Sequence, residues 1–181
     1  MLVIKTVGKN TGDLQKIKDL YYSSFPKNER RSFPELINKR LGDTETFAVY
    51  EDDLFVGMIS TMNTKEIIHI VYLAILKDYQ NKGYGSKTLK LIHDYYQDRK
   101  FMVDIEVPNE NSANQVQRIK RKKFYLRSGY KETNVRYEWR KENYEILSYN
   151  GEITLEDYNN FWNNFIDKKA IKKKSACQSK K

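Results

Sequence analysis

The chain has 181 residues, of which 39% are hydrophobic, and its 33 basic and 24 acidic residues give a formal net charge of +9. This length supports one hydrophobic core, so we expect a single domain over residues 1–166 and a Lys-rich, disordered tail over 167–181. Seven lysines lie between residues 168 and 181, and without them the chain has 26 basic and 24 acidic residues. The body of the protein is therefore nearly neutral, and nucleic-acid binding is not expected.

Several other classes of protein are excluded by composition. No apolar run approaches the roughly 20 residues of a membrane span, and residues 1–5 are too short and too soon polar for a signal peptide. We therefore expect a cytoplasmic protein with no membrane partner. Cys177 is the single cysteine, so no disulfide can form within the chain. His69 and His93 are too dispersed to suggest a metal site, and no metal is expected.

The N-terminal half predicts a strand, two helices and a hairpin of strands. The first helix has Asp13 as its cap and ends before Pro26. The second helix, over residues 33–41, begins with a proline in its first turn and stops at Gly42. Gly57 lies inside the last strand, where it marks a bulge or a close backbone approach. The strands are predicted over residues 2–7, 46–50 and 54–62.

The central stretch predicts a strand, a glycine turn and a helix. Branched and aromatic side chains fill residues 70–75, which is typical of a buried strand. Gly83 and Gly85 follow, and apolar residues then recur at spacings of three and four, so a helix begins near Gly83. The first N–H groups of such a helix suit a phosphate. A tight turn alone would need the same glycines, because Thr88 replaces the third glycine of a dinucleotide fingerprint.

The C-terminal half predicts three strands and two helices. A helix over residues 112–127 is closed by Gly129, and a last amphipathic helix over 155–166 is capped by Thr154. The strands are predicted over residues 101–107, 130–139 and 144–149. The first of these helices is predicted to carry Val116, Ile119, Lys123 and Leu126 along one side.

Two blocks of sequence resemble a known superfamily. The pattern Gln80-x-x-Gly83-x-Gly85 resembles motif A of the GCN5-related N-acetyltransferase (GNAT) superfamily, whose members bind acetyl-CoA there. The run from His69 to Gly85 is similar to the histone acetyltransferase branch position for position, except that His69 replaces the general-base glutamate. The block over residues 124–130 resembles the superfamily's late helix and the strand after it.

The resemblance, which covers about residues 45–140, implies a fold. It is an α/β (α+β) fold with a mixed, mostly antiparallel central sheet of about six or seven strands flanked by helices. The central strand and the strand near Phe101 are expected to splay apart at the cofactor site. Backbone groups left unpaired in that gap can be completed by an extended ligand such as the pantetheine arm of acetyl-CoA.

The resemblance also implies which residues bind acetyl-CoA as co-substrate. They lie at the end of the central strand, in the glycine turn and in the helix before Tyr125. They are Leu73, Ala74, Ile75, Gln80, Asn81, Lys82, Gly83, Tyr84, Gly85, Ser86 and Asn114. Asn114 stands in for an asparagine that the superfamily often has one turn later, where this chain has Arg118.

A basic cluster falls inside the same region and comprises Arg118, Lys120, Arg121, Lys122, Lys123 and Arg127. Helical spacing brings Arg118, Arg121 and Lys122 close together, where they could serve the adenosine 3′-phosphate or form a solvated face. We favour the solvated face.

Transfer to an amine requires two proton movements. The amine must lose a proton and the departing thiolate gains from an acid. His69 is the predicted base, because imidazole titrates near neutral pH and its position matches the superfamily's glutamate. Glu106 is the alternative base, and the resemblance implies Tyr125 as the acid. A strand histidine without a chemical role and an aromatic packing residue are the competing interpretations of His69 and Tyr125.

The loop between the first two helices is expected to border the acceptor. Phe25, Glu29 and Arg30 are the predicted contacts, with a charged exposed loop as the alternative interpretation. The predicted reaction moves an acetyl group from acetyl-CoA to a primary amine by direct attack in a ternary complex. The acceptor is expected to be a small molecule, and the oligomeric state is open, with a homodimer among the options.

Two other functions are compatible with the sequence. The basic tail and the Arg118 cluster would suit an RNA- or ribosome-associated binding protein. The glycine turn would equally serve an acyl-CoA sensor that binds acetyl-CoA without turnover.

Overall fold

The computed structural model describes residues 1–38 and 43–165. The predicted tail over 167–181, Cys177, and the predicted end of the second helix near Leu41 and Gly42 lie outside the described residues. Within these two ranges, no helix is both long enough and apolar enough to cross a membrane.

Strands and helices follow one another in the predicted order. The strands are β1 (Leu2–Thr6), β2 (Thr44–Glu51), β3 (Leu54–Asn63), β4 (Ile67–Ile75), β5 (Lys100–Glu106), β6 (Lys131–Trp139) and β7 (Glu142–Tyr149). The helices are α1 (Leu14–Ser24), α2 (Phe33–Ile37), α3 (Tyr84–Tyr95) and α4 (Gln115–Arg127), followed by α5, which covers 155–165. A short 3-10 turn, Lys77–Tyr79, precedes the glycine turn.

The strands form one seven-stranded sheet in the order β1-β2-β3-β4-β5-β7-β6. Neighbouring strands are antiparallel except β4 and β5, which are parallel and joined by α3. The predicted mixed, mostly antiparallel sheet is confirmed. β7 pairs with both β5 and β6, so the last hairpin folds back and places its second strand next to β5.

The strands β4 and β5 diverge at their carboxyl ends. Their pairing runs from Ile67 opposite Lys100 to Ile70 opposite Val103 and goes no further. On the other edge of β4, Ser60 faces Tyr72 while the next residue of β3 faces Ile70, so Val71 is an extra residue in β4. Such a bulge bends its strand and increases the local twist. The predicted splay is therefore confirmed, and it opens immediately after Ile70.

Gly57 allows β3 to approach the end of β4. A Cβ at this position would lie 2.6 Å from the carbonyl oxygen of Ala74 and 2.7 Å from Cδ1 of Ile75, which no side chain tolerates. The pairing of β2 with β3 also shifts register beside it, between Val49 and Tyr50. The prediction of a bulge or a close backbone approach at this glycine is confirmed.

Helices cover both faces of the sheet. One face packs against α3 and α4 around Phe47, Ile70 and Phe101, and the other packs against α1 and α2 around Tyr21 and Tyr72. On that second face α5 covers β5 and β7. Its predicted cap is confirmed, because the hydroxyl of Thr154 accepts the N–H of Asp157 and the Asp157 carboxylate accepts the N–H of Thr154, both at 3.0 Å.

Two local predictions are wrong, and the burial of α4 differs from its apolar pattern. The helix α2 ends at Ile37, short of the predicted bound. Asp13 precedes α1 but makes no capping bond, because its carboxylate pairs with Lys16 and accepts the Tyr50 hydroxyl instead. The apolar stripe on α4 is not the buried one, since Val116 is 63% exposed while Arg118 and Tyr125 are buried. Ion pairs with acidic residues of the sheet bury the Arg118 side of α4.

Candidate active site

A cleft of about 1670 Å³ opens where β4 and β5 separate. It is bordered by the loop between α1 and α2, the glycine turn, α4, the β6–β7 hairpin and α5. All the predicted catalytic and acceptor residues line it: His69, Glu106, Tyr125, Phe25, Glu29 and Arg30. So do the predicted cofactor residues, except Lys82, Tyr84 and Asn114. The fold thus brings distant predicted residues to one cavity.

The glycine turn leaves backbone donors at the entrance of the cleft. Gly83 has φ +83° and precedes the first residue of α3. The first bond within this helix joins the N–H of Lys87 to the carbonyl of Gly83 at 3.1 Å, so the three preceding N–H groups have no acceptor inside the helix. The side chain of Gln80 donates to the carbonyl of Ile75 at 2.9 Å and fixes the turn to the end of β4. The arrangement suits an anionic group.

The basic side chains of α4 divide into two sets. Arg118 is buried against Glu106 and Glu142, and Lys122 lies 2.9 Å from both carboxylate oxygens of Glu145. The expected solvated face is therefore wrong for these residues. A second set from the same predicted cluster is exposed along the cleft. It comprises Lys120, Lys123 and Arg127.

Tyr125 is held rigidly at the end of α4. Gly129, with φ +89°, closes the helix, the N–H of Tyr130 donates to the carbonyl of Tyr125 at 3.1 Å, and Gly129 donates to Leu126 at 3.1 Å. Burial raises the pKa of Tyr125 to about 12, although the charge of Arg121 acts in the opposite direction. Its hydroxyl has no hydrogen-bond partner in the described part of the chain. Tyr125 is thus a neutral phenol with a free donor at neutral pH.

His69 lies below the surface of the cleft. It is only 4% exposed, and its ring meets the edges of Phe161 and Trp162. Its Nε2 lies 3.0 Å from Oδ1 of Asp104, while its Nδ1 is buried without a hydrogen-bond partner among residues 1–38 and 43–165. Asp104, which also lines the cleft, is therefore the polar neighbour of the imidazole there.

Asp104 has a second partner. The hydroxyl of Tyr137 donates to its Oδ2 at 2.6 Å. Burial alone would raise the pKa of Asp104, but the charge and contact of His69 and the hydrogen bond from Tyr137 together lower it below its ordinary value. Sequence reasoning missed both Asp104 and Tyr137. The alternation of β5, which places Asp104 on the same face as Glu106, was the available signal for the aspartate.

The negative charge of Glu106 is paired with two arginines. Arg121 lies 2.6 Å from one carboxylate oxygen and Arg118 lies 3.5 Å from the other. The side chain of Asn114 donates to the same carboxylate at 3.4 Å and accepts from Nε of Arg118 at 2.7 Å. Asn114 therefore belongs to the polar network around Glu106 and does not line the cleft.

The loop between α1 and α2 is fastened to β4. The hydroxyl of Tyr72 donates to the carbonyl of Glu29 at 2.8 Å and accepts the N–H of Arg31 at 3.1 Å. Burial, followed by the negative charge of Glu106, raises the pKa of Glu29. The guanidinium of Arg30 lies 4.9 Å from the ring centre of Tyr22 and donates to its carbonyl, so this charge is directed toward α1.

The sequence comparison identifies the family. A model of the acetyltransferase (GNAT) family matches residues 14–130. The chain belongs to this family. No curated protein is similar enough in sequence to count as a relative.

Solved structures share the fold of this GNAT protein. A protein assigned to the GNAT family from Bacteroides thetaiotaomicron is 22% identical with a TM-score of 0.70, and the match covers 87% of this chain and 92% of that one. A GNAT acetyltransferase from Elizabethkingia anophelis with acetyl-CoA bound is 15% identical, with a TM-score of 0.55 and coverage of 81% and 96%. The spermidine/spermine N-acetyltransferase SpeG from Vibrio cholerae is 16% identical, with a TM-score of 0.60 and coverage of 82% and 94%.

Proposed function

We propose that this GNAT protein is an N-acetyltransferase that moves the acetyl group of acetyl-CoA to a primary amine in a ternary complex. The observation that carries the proposal is the gap between β4 and β5. The first N–H groups of α3, which have no acceptor inside the helix, and the free hydroxyl of Tyr125 lie along the same cleft at this gap. The family assignment supports acetyl transfer. The Elizabethkingia structure contains acetyl-CoA, and SpeG is named as an N-acetyltransferase. Both names are consistent with acetyl-CoA and an amine as the two substrates.

The residues around the gap fit acetyl-CoA. The backbone of Leu73, Ala74 and Ile75 beyond the last β4–β5 pair offers an open strand edge to the pantetheine amides. The N–H groups from Gly83 to Ser86 would hold the diphosphate, and Gln80 and Asn81 would shape the turn around it. Lys120, Lys123 and Arg127 are placed to neutralise further phosphate charge. Lys82 and Tyr84 would take part through the backbone of the turn.

Protein side chains would donate and accept the protons of the reaction. Bound acetyl-CoA supplies an activated thioester, so the amine nitrogen can form the new C–N bond directly as the C–S bond breaks. Tyr125 would donate its phenolic proton to the departing sulfur. The proton of the amine would pass to the side of the cleft that holds Asp104 and Glu106.

His69 remains the proposed base, acting through Asp104. Nε2 of His69 lies 3.0 Å from Oδ1 of Asp104, close enough for proton transfer once the two groups align, although they are not aligned as a hydrogen bond in this structure. Glu106 is the alternative base. Both of its carboxylate oxygens already contact an arginine, Arg121 at 2.6 Å and Arg118 at 3.5 Å.

Calorimetry and a thiol-release assay test the proposal together. We expect acetyl-CoA to bind the purified protein, and CoA to be released when a primary amine is added. Mass spectrometry should find the acetyl group on the amine nitrogen. Binding without CoA release for any amine in a broad panel would indicate an acyl-CoA sensor, and no binding would contradict the proposal entirely.

A further inference from the structure

Aromatic side chains form a continuous row along one wall of the cleft. The β6–β7 hairpin and α5 contribute them, and all line the cavity. Tyr137 stacks on Tyr144 at 5.2 Å between ring centres with 11° between planes, and on Tyr158 at 5.5 Å with 27°. Trp139 lies 6.3 Å from Tyr144 at one end, and Trp162 lies 6.2 Å from Tyr158 at the other. We call these five side chains the aromatic row.

Two further rings line the same cleft from the α1 side. Phe25 and Tyr72 meet edge to face with 4.8 Å between their centres. Aromatic groups favour offset stacked or edge-to-face contacts with one another. The cleft therefore presents ring surfaces from two sides to a flat ligand.

One carboxylate in this part of the cleft is available to an ammonium group. Glu29 is half-buried, and its carboxylate has no hydrogen bond or ion pair within the described ranges of the chain. The guanidinium groups nearby make other contacts: Arg30 lies over Tyr22, Arg31 donates to the hydroxyl of Thr44 at 3.5 Å, and Arg140 lies 4.3 Å from the ring centre of Trp139 and donates to the carbonyl of Asn28. An incoming ammonium group would meet the Glu29 carboxylate, which has no direct ion pair in the described ranges although the charges of Arg121 and Arg118 also act on it, beside the rings of the aromatic row.

The number of free carboxylates limits the charge of the acceptor. Asp104 already contacts His69 and Tyr137, and Glu106 already pairs with Arg118 and Arg121. Glu29 is then the carboxylate left to balance a substrate cation. A polyamine, with several ammonium groups to desolvate, would lack partners for most of them.

We infer that the acceptor is an arylalkylamine, a single primary amine on an aromatic skeleton. Its ring would lie against the aromatic row, and its ammonium group would be drawn into the cleft by Glu29. This inference rests on the proposed N-acetyltransferase function and specifies its substrate class.

A panel of four amines tests the inference. The probes are 2-phenylethylamine, tryptamine, n-hexylamine and spermidine, each assayed by thiol release with saturating acetyl-CoA. We expect kcat/KM for both aryl amines to exceed that for n-hexylamine and spermidine by about 10-fold or more, because stacking and cation–π contacts add to simple burial. Equal or better turnover of n-hexylamine or spermidine would overturn the inference while leaving the N-acetyltransferase function intact. Absence of turnover with all four amines would also overturn the inference, whereas the N-acetyltransferase function is decided by the broad amine panel described above.

A variant of the row provides a second measurement. Trp139→Leu removes a ring that is 40% exposed at the end of the hairpin, so the fold should persist. We expect KM for 2-phenylethylamine to rise about 3- to 10-fold, with KM for n-hexylamine and the Kd of acetyl-CoA unchanged. Tyr95→Leu is the matched control, since it removes a ring that is 53% exposed on α3 outside the cleft. An equal rise in KM for both amines, or no rise for either, would contradict binding in the aromatic row.

Discussion

The cofactor half of the cleft and its acceptor half are built by different means. The cofactor half comes mainly from one continuous stretch, residues 71–86, in which a splayed strand, a glycine turn and a helix follow one another. The acceptor half combines the loop over 25–31, the end of β5, the β6–β7 hairpin and α5. One half therefore depends on local backbone geometry, and the other on how distant segments pack.

This difference determines how each half responds to substitution. Backbone N–H and C=O groups provide the proposed contacts of the cofactor half, so most side-chain changes there should matter less than changes in φ and ψ. Rings and carboxylates provide the contacts of the acceptor half, where each side chain counts. Substitutions in the cofactor half should therefore change the Kd of acetyl-CoA, and substitutions in the acceptor half should change KM for the amine.

Gly83→Val should have the largest effect. Gly83 has φ +83°, a conformation that a β-branched residue adopts only with strain, so the turn must change and the N–H groups lose their arrangement. We expect the Kd of acetyl-CoA, measured by calorimetry, to rise by about two orders of magnitude. Gly12→Val is the control, because a Cβ at either glycine meets no atom within 4 Å but only Gly83 of the two has a positive φ. A folded Gly83→Val protein that still binds tightly would refute the phosphate role of the turn.

Tyr125→Phe should affect the chemical step alone. Because burial raises the pKa of Tyr125 to about 12, the phenol remains protonated across the working pH range and can serve as an acid. Loss of its hydroxyl should lower kcat by about 10- to 100-fold while the Kd of acetyl-CoA stays the same. Tyr95→Phe, outside the cleft, is the matched control. An unaltered kcat would remove Tyr125 from the mechanism.

Much of the fold could be predicted because its signals are local. The apolar run of β4, the glycines of the turn and the periodicity of α3 are contiguous, and their resemblance to a family motif supplied the splayed strands. The buried face of α4 could not be predicted from its own residues. Arg118 is buried because Glu106 and Glu142 meet it from two other elements, and nothing in the helix itself indicates those partners.

In the candidate site, too, contacts between distant segments could not be predicted from the sequence. Its cofactor segment could be placed on the sequence to within a few residues, whereas Asp104 and the aromatic row were missed. The role of Asp104 depends on His69, on a neighbouring strand, and on Tyr137, on the last hairpin. The row exists because β7 pairs with β5 and because α5 packs beside that hairpin. Single-residue patterns do not encode such pairings.

His93→Gln tests how the packing of α3 contributes to the free energy of unfolding. The ring of His93 stacks on Tyr149 at 3.8 Å, and its Nε2 lies 3.0 Å from the hydroxyl of Tyr130. Burial lowers its pKa to about 4, so between pH 6.5 and pH 4 the unfolded chain takes up a proton that the folded protein does not. The free energy of unfolding should therefore fall as the pH falls through this window.

The expected His93 contribution is about 1–2 kcal/mol, reduced from the full shift because the ring is partly exposed to solvent. Glutamine cannot titrate but keeps a polar group near Tyr130. Urea unfolding of both proteins at pH 7 and pH 4.5 isolates the contribution as the difference between them. Equal loss of stability in the two proteins would show that other groups cause it.

Glu29→Gln should produce the smallest effect, confined to the acceptor half. Removing the carboxylate should raise KM for a protonated amine about fivefold, with the Kd of acetyl-CoA unchanged, since one partly exposed charge contact is lost. Burial and the charge of Glu106 raise the pKa of Glu29, so in the unaltered protein KM should begin to rise, as the pH falls, at a higher pH than an ordinary glutamate would cause. Glu66→Gln, an exposed glutamate outside the cleft, is the control. If Glu29→Gln weakened acetyl-CoA binding instead, the carboxylate would serve the cofactor half, and the division between the two halves would be wrong at this residue.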